Sequence, residues 1–270
     1  MRITTNVTSV HISDKLRTNQ LDLSDRMSSL STGKRIKSAR DDAAGMSISG
    51  RLSSLTNGLK VAVRNANDGI SMMRVADGAL TNITNSLLRM RDIAIQSANA
   101  TNTALDRESL NKEVIQLKNE ITNINDNTSF GRHKLFDNNG YKMTFQVGAA
   151  SQEVIDVRFN AFDLDTLDIK DLNVSTQADS QSAITAIDDA IQFVGGQQAQ
   201  MGGTMNRFTS AINNLKNIDE NISDSNGQLK DADYAKQTAE LTRLQVTRQA
   251  ATALLSQANS EATSAVSLLG

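Results

Sequence analysis

The chain has 270 residues, 39% hydrophobic but only 3% aromatic, with no proline, cysteine or tryptophan, and its formal net charge is −2. The lack of cysteine excludes disulfides and thiolate metal sites, and the charge balance shows no basic excess of the kind that marks nucleic-acid-binding proteins. No run of about 18 apolar residues is present, so no transmembrane helix is expected, and residues 1–6 lack the apolar core of a secretory signal. Because proline breaks helix interiors, its absence suits very long helices.

The N-terminal segment, residues 1–37, is predicted to form an amphipathic helix. It should end near Gly33, because glycine readily adopts the left-handed conformation of a helix stop. After this segment, Ser38 followed three residues later by Asp41 resembles a capping box, so a second helix is expected to start here. The apolar side chains of the first helix recur at helical spacing on one side: Ile12, Leu16, Leu23, Met27 and Leu30.

The second helix is predicted over about 43–98 and would be roughly 80 Å long at 1.5 Å per residue. From Leu52 to Ala94 its apolar residues alternate three and four apart, the repeat that packs one helix against another. A polar break precedes a third helix over about 106–127, whose apolar residues have the same spacing. We expect this third helix to fold back antiparallel on the second.

The hydrophobic period then changes from helical to two. Met143 and Phe145 alternate with polar residues, and after a glycine-containing turn Ile155 and Val157 do the same. Two such runs predict a β-hairpin. The next segment, 160–181, is rich in aspartate, serine and threonine and is predicted to be an exposed connection.

A second long helix is predicted over about 181–223, followed by a break at Asn226-Gly227 and a C-terminal helix over about 231–268. The C-terminal seam is mostly alanine, which buries little apolar area, so its pairing with the N-terminal helix alone would be marginal. We therefore expect both terminal segments to need contacts from neighbouring copies of the chain. The seam leucines expected to carry this assembly are Leu16, Leu23, Leu30, Leu241, Leu244, Leu255 and Leu269.

These elements predict a mainly α fold. It is a long antiparallel helical bundle or coiled-coil rod, formed by the N- and C-terminal segments, with a small central β-hairpin region. The expected divisions of the chain are residues 1–42, 43–180, 181–226 and 227–270.

No catalytic, cofactor-binding or metal-binding residues are predicted, and the chain is not expected to be an enzyme. His11 and His133 are solitary in the sequence. The acidic residues between Asp163 and Asp171 lack the glycine and the terminal glutamate of a calcium loop. The adjacent aspartates Asp41 and Asp42 are interpreted as the charged start of a helix, because negative side chains are favourable at the positive N-terminal end of the helix dipole.

Three long motifs occur in the order that a known family has them. They are residues 28–45 (SSLSTGKRIKSARDDAAG), residues 88–99 (LRMRDIAIQSAN) and the ending 231–270. The strand FQVGA at 145–149 matches as well. In these residues the chain closely resembles bacterial flagellin, the subunit of the flagellar filament.

This resemblance implies a structural subunit that self-assembles into a helical homopolymer for motility. Residues 1–42 and 227–270 would form the inner tube of the filament, and the segments between them the rod outside it. Because 160–181 is too short to hold the outer domains of large flagellins, the chain would be a minimal form. The family is exported by the flagellar type III apparatus and meets an export chaperone, cap proteins and junction proteins, so an extracellular filament is expected. Neither nucleic-acid binding nor insertion into a membrane is expected.

The resemblance also implies recognition of the monomer by host Toll-like receptor 5. Arg89 matches the arginine central to receptor binding, and Glu113 matches a second contact. Leu88 and Ile93 flank these positions, and the helix spacing predicts that Arg89, Asp92 and Ile93 point away from the seam. The predicted receptor interface is Leu88, Arg89, Asp92, Ile93 and Glu113.

Two alternatives stay open at this point. One is the hook–filament junction protein, which shares the terminal helices but usually has a proline after the acidic pair, where this chain has Ala43. The other is a secreted, translocator-like helical interaction protein, which generally needs a long apolar segment that this chain lacks.

Overall fold

A computed structural model describes residues 6–136 and 141–267. The predicted mainly α fold with a small β region is confirmed. The elements in chain order are α1 Val7–Thr32, α2 Ala43–Ala98, α3 Ala104–Asn127, β1 Ser129–Phe130, β2 His133–Lys134, β3 Tyr141–Gln146, β4 Val154–Phe159, α4 Gln177–Lys230 and α5 Tyr234–Ser267.

Internal contacts divide the chain into two units. The terminal unit comprises residues 1–54 and 221–270, and the central unit comprises residues 55–220. Helices α2 and α4 therefore contribute residues to both units.

The central unit has one hydrophobic core, built from α2, α3, α4 and the β3–β4 hairpin. Helix α2 is joined to α3 by an ion pair between Arg89 and Glu113, and to α4 by one between Arg91 and Asp188. With partners on two sides, α2 buries more than a single seam. The fully buried core side chains include Met73, Leu80, Ile83, Leu87 and Met90 of α2, Ile121 of α3 and Phe208 of α4.

The β3–β4 hairpin is antiparallel as predicted, with Met143 opposite Val157 and Phe145 opposite Ile155. Phe145 fixes it to the helices, because its ring packs edge-on against Phe208 with centroids 5.5 Å apart. The short β1–β2 hairpin was missed by sequence reasoning, since two-residue strands leave no detectable alternation.

The segment after the hairpin is packed, and the prediction of an exposed connection is wrong for its apolar residues. Phe162, Leu167, Ile169 and Val174 are all buried within the core. Phe162 also meets Phe136 edge-on at 4.9 Å between ring centroids. The charged residues between them, including Asp165, Asp168 and Asp171, are exposed. The richness of the segment in polar residues therefore concealed the apolar residues that pack inward.

Helix α4 continues through Asn226-Gly227, so the predicted break at that pair is also wrong. Asn226 Nδ2 donates to Ser53 Oγ of α2 at 3.4 Å. A glycine inside a helix costs only about 1 kcal/mol, which neighbouring contacts can offset. The chain leaves the helix after Lys230, and α5 then starts behind Asp233, whose Oδ1 accepts the Lys236 N–H at 3.1 Å.

Candidate assembly and recognition surfaces

The terminal unit pairs α1 with α5 in antiparallel orientation. At one end, Asn6 Nδ2 donates to the Ala258 carbonyl at 2.9 Å, and at the other, Arg26 Nη1 donates to Gln237 Oε1 at 3.3 Å. The backbones approach closely along this pair. Small seam residues such as Ala251 and Ala258 of α5 favour this approach, because a methyl group allows a second helix to come near.

The predicted assembly leucines lie along this pair to different depths. Leu23 and Leu244 are buried, at 5% and 6% exposed. Leu16, Leu30, Leu241 and Leu255 are half-buried. Leu269 lies outside the described residues.

Other positions of the α1 seam differ from the prediction. Met27 was assigned to the inward side but is 54% exposed. The inward positions instead include Asn19 and Ser29 of α1, and Gln237 is an inward position of α5; all three are buried. Strict seven-residue counting from Ile12 would have found Asn19, but apolar residues alone were used to trace the seam.

Several large apolar side chains of the terminal unit remain uncovered. Their exposed fractions, between 49% and 67%, are far above those of the core residues. They lie on the faces of α1 and α5 that the helix pair does not use: Val7, Val10, Leu21, Met27, Tyr234, Val246 and Leu254. These uncovered apolar side chains make the α1–α5 pair the candidate assembly surface.

The loop after α1 attaches to the end of α4. Gly33 has φ +67°, which makes it the left-handed stop that the sequence predicted. Arg35 then donates its N–H to the Lys230 carbonyl at 2.7 Å and its Nη2 to the Leu229 carbonyl at 2.6 Å. A cation at the last carbonyls of a helix is favourable, because these groups lack partners within the helix.

The predicted capping box at Ser38 and Asp41 is a turn rather than a helix start. Asp41 Oδ2 accepts the N–H groups of Lys37 and Ser38 at 3.0 and 2.9 Å. Helix α2 begins two residues later at Ala43, and its first turn is capped by Asp42, whose Oδ1 accepts the Gly45 N–H at 2.8 Å. The two adjacent aspartates thus have different roles: Asp41 holds the turn and Asp42 caps α2. The sequence alone did not show which aspartate has which role.

The N–H of Lys37, followed by that of Ser38, holds the pKa of Asp41 below its ordinary value of 3.8. Because the folded-state pKa is the lower one, the carboxylate stabilises the turn above the ordinary pKa, and this stabilisation disappears as the pH falls through the folded-state value. We expect amide exchange at Lys37 and Ser38 to be slower in the wild type than in Asp41→Asn at pH 7, and the difference to shrink below about pH 4. A difference that is independent of pH would contradict this assignment.

The predicted receptor surface centres on an ion pair between α2 and α3. Arg89 donates Nε and Nη2 to Glu113 Oε1 at 2.8 and 2.6 Å. Both side chains stay largely exposed, at 57% and 42%. Leu88 is 46% exposed, and Asp92 is exposed as well. These four side chains are therefore accessible to a partner of the single subunit.

Ile93 requires a correction, because it is 1% exposed and belongs to the hydrophobic core. The three-and-four spacing of the apolar repeat placed Ile93 outside the seam. Since α3 and α4 both contact α2, the residue next to the seam is also covered. Ile93 can support the surface from beneath but does not contribute to it.

No candidate metal centre is found among residues 6–136 and 141–267. In these ranges no three or more histidine, aspartate and glutamate side chains are arranged to hold a metal ion. No helix in the same ranges has the length and apolar character needed to cross a membrane.

Comparison with known proteins decides the family. The family model for the bacterial flagellin N-terminal helical region matches residues 3–140, and that for the C-terminal helical region matches residues 184–269. The chain belongs to the bacterial flagellin family. As a flagellin, it is a structural subunit of the flagellar filament.

Flagellins of Vibrio species are similar over nearly the whole chain. Polar flagellin F of Vibrio parahaemolyticus is 32% identical over 92% of this chain and 94% of its own, and flagellin A of Vibrio cholerae is 31% identical over 100% and 99%. The alignment with the first extends over 353 positions, against 270 residues here, so the relative has segments without a counterpart in this chain. This flagellin is therefore a short one, as predicted.

Solved structures agree with the fold. The crystal structure of Bacillus cereus flagellin is 38% identical, with a TM-score of 0.51, and the match covers 56% of this chain and 88% of that one. A Vibrio parahaemolyticus protein assigned to the flagellar hook-associated class has a TM-score of 0.62 over 71% of this chain and 100% of its own. At 19% identity this second likeness concerns the fold alone.

Proposed function

We propose that this flagellin polymerises through α1 and α5, which come to lie in the inner tube of the filament. The observation that carries the proposal is the set of uncovered apolar side chains on the α1–α5 pair, including Leu21, Val246 and Leu254. Covering apolar area releases about 25 cal/mol per Å². Neighbouring copies can supply that cover, whereas a single pair of helices leaves these groups in water.

The proposal assigns residues 1–42 and 227–270 to the inner tube, and 43–180 with 181–226 to the rod outside it. It includes export by the flagellar type III apparatus, with an export chaperone, cap proteins and junction proteins as transient partners. A chain without cysteine can pass through a narrow channel without forming disulfides. The polymer would then be extracellular.

Electron microscopy of the purified full chain, after seeding with short filament fragments, tests polymerisation directly. We expect regular tubes with a central pore, and a rate of growth that rises with subunit concentration. Globular particles only, at all concentrations and with intact seeds, would exclude a filament-forming subunit.

We further propose that the single subunit is recognised by Toll-like receptor 5 through Leu88, Arg89, Asp92 and Glu113. The ion pair presents a planar guanidinium that is already ordered by Glu113 Oε1 at 2.6 Å. Arginine at interfaces combines directional donors with an apolar stem, and such residues often dominate binding. Packing between subunits over the same surface would hide it in the filament.

Arg89→Ala is expected to reduce activation of receptor-bearing reporter cells by roughly tenfold or more, the effect of losing one dominant interface side chain. Arg91→Ala is the matched control. Arg91 lies two residues away on α2 and bonds Asp188 Oδ1 at 2.6 Å, so its loss removes a similar ion pair on the side facing α4. Equal losses of activation in both variants would show a structural effect rather than a contact.

A further inference from the structure

The sulfur chemistry of this chain belongs to methionine alone, because the sequence has nine methionines and no cysteine. The methionines that the structure describes differ in their access to solvent. Four are buried in the core of the central unit: Met72, Met73, Met90 and Met201. Three more are half-buried: Met46, Met143 and Met205. Met27 of α1 differs from all of these, because it is 54% exposed.

Met27 lies at the edge of the α1 seam. Residues three and four apart are neighbours on a helix surface, so Leu23 lies one turn before Met27 and Leu30 one turn after it. Leu23 is buried and Leu30 is half-buried, whereas more than half of Met27 is open to solvent. Met27 is therefore an apolar group that borders the covered seam and that α5 leaves uncovered. A neighbouring helix that covered this edge would cover Met27.

We propose that Met27 is an oxidation site of the free subunit, and that its sulfoxide prevents assembly. This inference rests on the proposed assembly through α1 and α5. The oxidant is hydrogen peroxide, which transfers one oxygen atom to the thioether: the sulfur lone pair forms the S–O bond, the O–O bond breaks, and water leaves. The sulfur is oxidised by two electrons and the peroxide is reduced. The product, methionine sulfoxide, is polar and chiral.

A sulfoxide at Met27 changes the assembly surface without changing the core of the subunit. In the free subunit the new oxygen is hydrated, so it costs little. When a neighbouring copy covers Met27, the oxygen loses its water, and a buried acceptor without a partner is costly. The same cover in a filament keeps peroxide away from the sulfur. Free subunits are therefore sensitive to peroxide at this position, and assembled subunits are protected.

Peptide mass spectrometry after treatment with hydrogen peroxide measures the sulfoxide fraction at each methionine. In the free full chain, Met27 is expected to be oxidised before the buried Met72, Met73 and Met90, because susceptibility follows exposure. In filaments, oxidation of Met27 should fall to the level of those buried methionines. Equal oxidation of Met27 in free subunits and in filaments would overturn the proposal.

Growth of filaments from untreated wild-type seeds measures the effect on assembly. Oxidised wild-type subunits are expected to need a roughly tenfold or higher concentration for growth, the effect of burying one unpaired polar group. Methionine sulfoxide reductases A and B with dithiothreitol should restore growth, since each enzyme reduces one sulfoxide epimer. The sulfoxide oxygen then leaves as water and the dithiol becomes a disulfide. Normal growth of subunits whose Met27 is fully oxidised would refute the inference, as would lost growth that persists after Met27 is reduced.

Met27→Leu is the matched variant, because leucine keeps a similar apolar volume and cannot be oxidised. After peroxide treatment it should grow as the untreated variant does. An equal loss of growth in treated wild type and treated Met27→Leu would place the effect at another methionine and overturn the proposal.

A second pair of variants needs no oxidant. Met27→Gln places a permanent polar group at the same position and should reduce growth, whereas Ser24→Gln, the same side chain at an exposed polar position of α1, should not. Equal growth of these two variants would contradict a specific role of Met27. Absence of filaments from the untreated wild type would instead refute the assembly proposal on which this inference depends.

Discussion

Removal of residues 231–270 is expected to abolish filament formation while leaving the central unit folded. The deletion removes α5 and with it every contact that covers Leu23 from the other helix of the pair. The central unit, residues 55–220, keeps its whole hydrophobic core, and Arg35 keeps its acceptors at the Leu229 and Lys230 carbonyls. The loss should therefore be confined to assembly.

Electron microscopy after seeding measures the loss of filaments, and a cooperative thermal transition followed by circular dichroism reports on the central unit. Leu244→Asp in the full chain is the companion variant, because Leu244 is 6% exposed and placing a carboxylate at so buried a position is costly. Both changes should prevent growth from wild-type seeds. Normal filaments from the truncated chain would refute the assignment of assembly to the terminal helices.

Phe208→Ala is expected to be the most destabilising single substitution in the central unit, at about 3–5 kcal/mol of unfolding free energy. The ring is fully buried and packs edge-on against Phe145, so it joins α4 to the β3–β4 hairpin. It lies over Gly69 of α2, where an added Cβ would come within 2.8 Å of the ring carbon Cζ. The ring of Phe208 therefore occupies space on α2 that any side chain larger than that of glycine would fill.

A double-mutant cycle in urea separates this contact from general helix effects. Gly69→Ala should destabilise by about 1–3 kcal/mol with Phe208 present, because the ring has no room to move away. With Phe208→Leu, the same change should be neutral or stabilising by up to about 1 kcal/mol, since alanine favours the helix and the clash is gone. Equal effects of Gly69→Ala in both backgrounds would show that the ring and the glycine are not coupled.

The apolar seam of α2, predicted from Leu52 to Ala94, is buried from Leu59 onward, because such a repeat packs against another helix. Near its start the prediction fails, since Leu55 is 39% exposed. Ile93 was misplaced because the sequence does not state how many helices surround α2. The apolar residues of 160–176 were misjudged for a similar reason. Whether a short leucine-and-aspartate segment is covered depends on what lies beneath it.

In the candidate surfaces too, the sequence identified single residues, whereas the structure showed which of them are in contact. The motif residues Arg89 and Glu113 were each found from sequence, but their direct ion pair follows from the fold of α3 onto α2, which brings together residues 24 apart. The roles of Asp41 and Asp42 required the backbone path, because only that path shows which N–H groups each carboxylate reaches.

The sequence by itself determined the helices, the hairpin, the family and the absence of disulfide or thiolate chemistry, because these depend on local periodicity, composition and motif order. Tertiary structure alone decided the depth of burial of each seam residue, the polar members of the α1–α5 pair and the fit of Phe208 over Gly69. Those features arise from contacts between segments that are distant in the sequence. The free energy of such a contact depends on both residues and on the fold that brings them together.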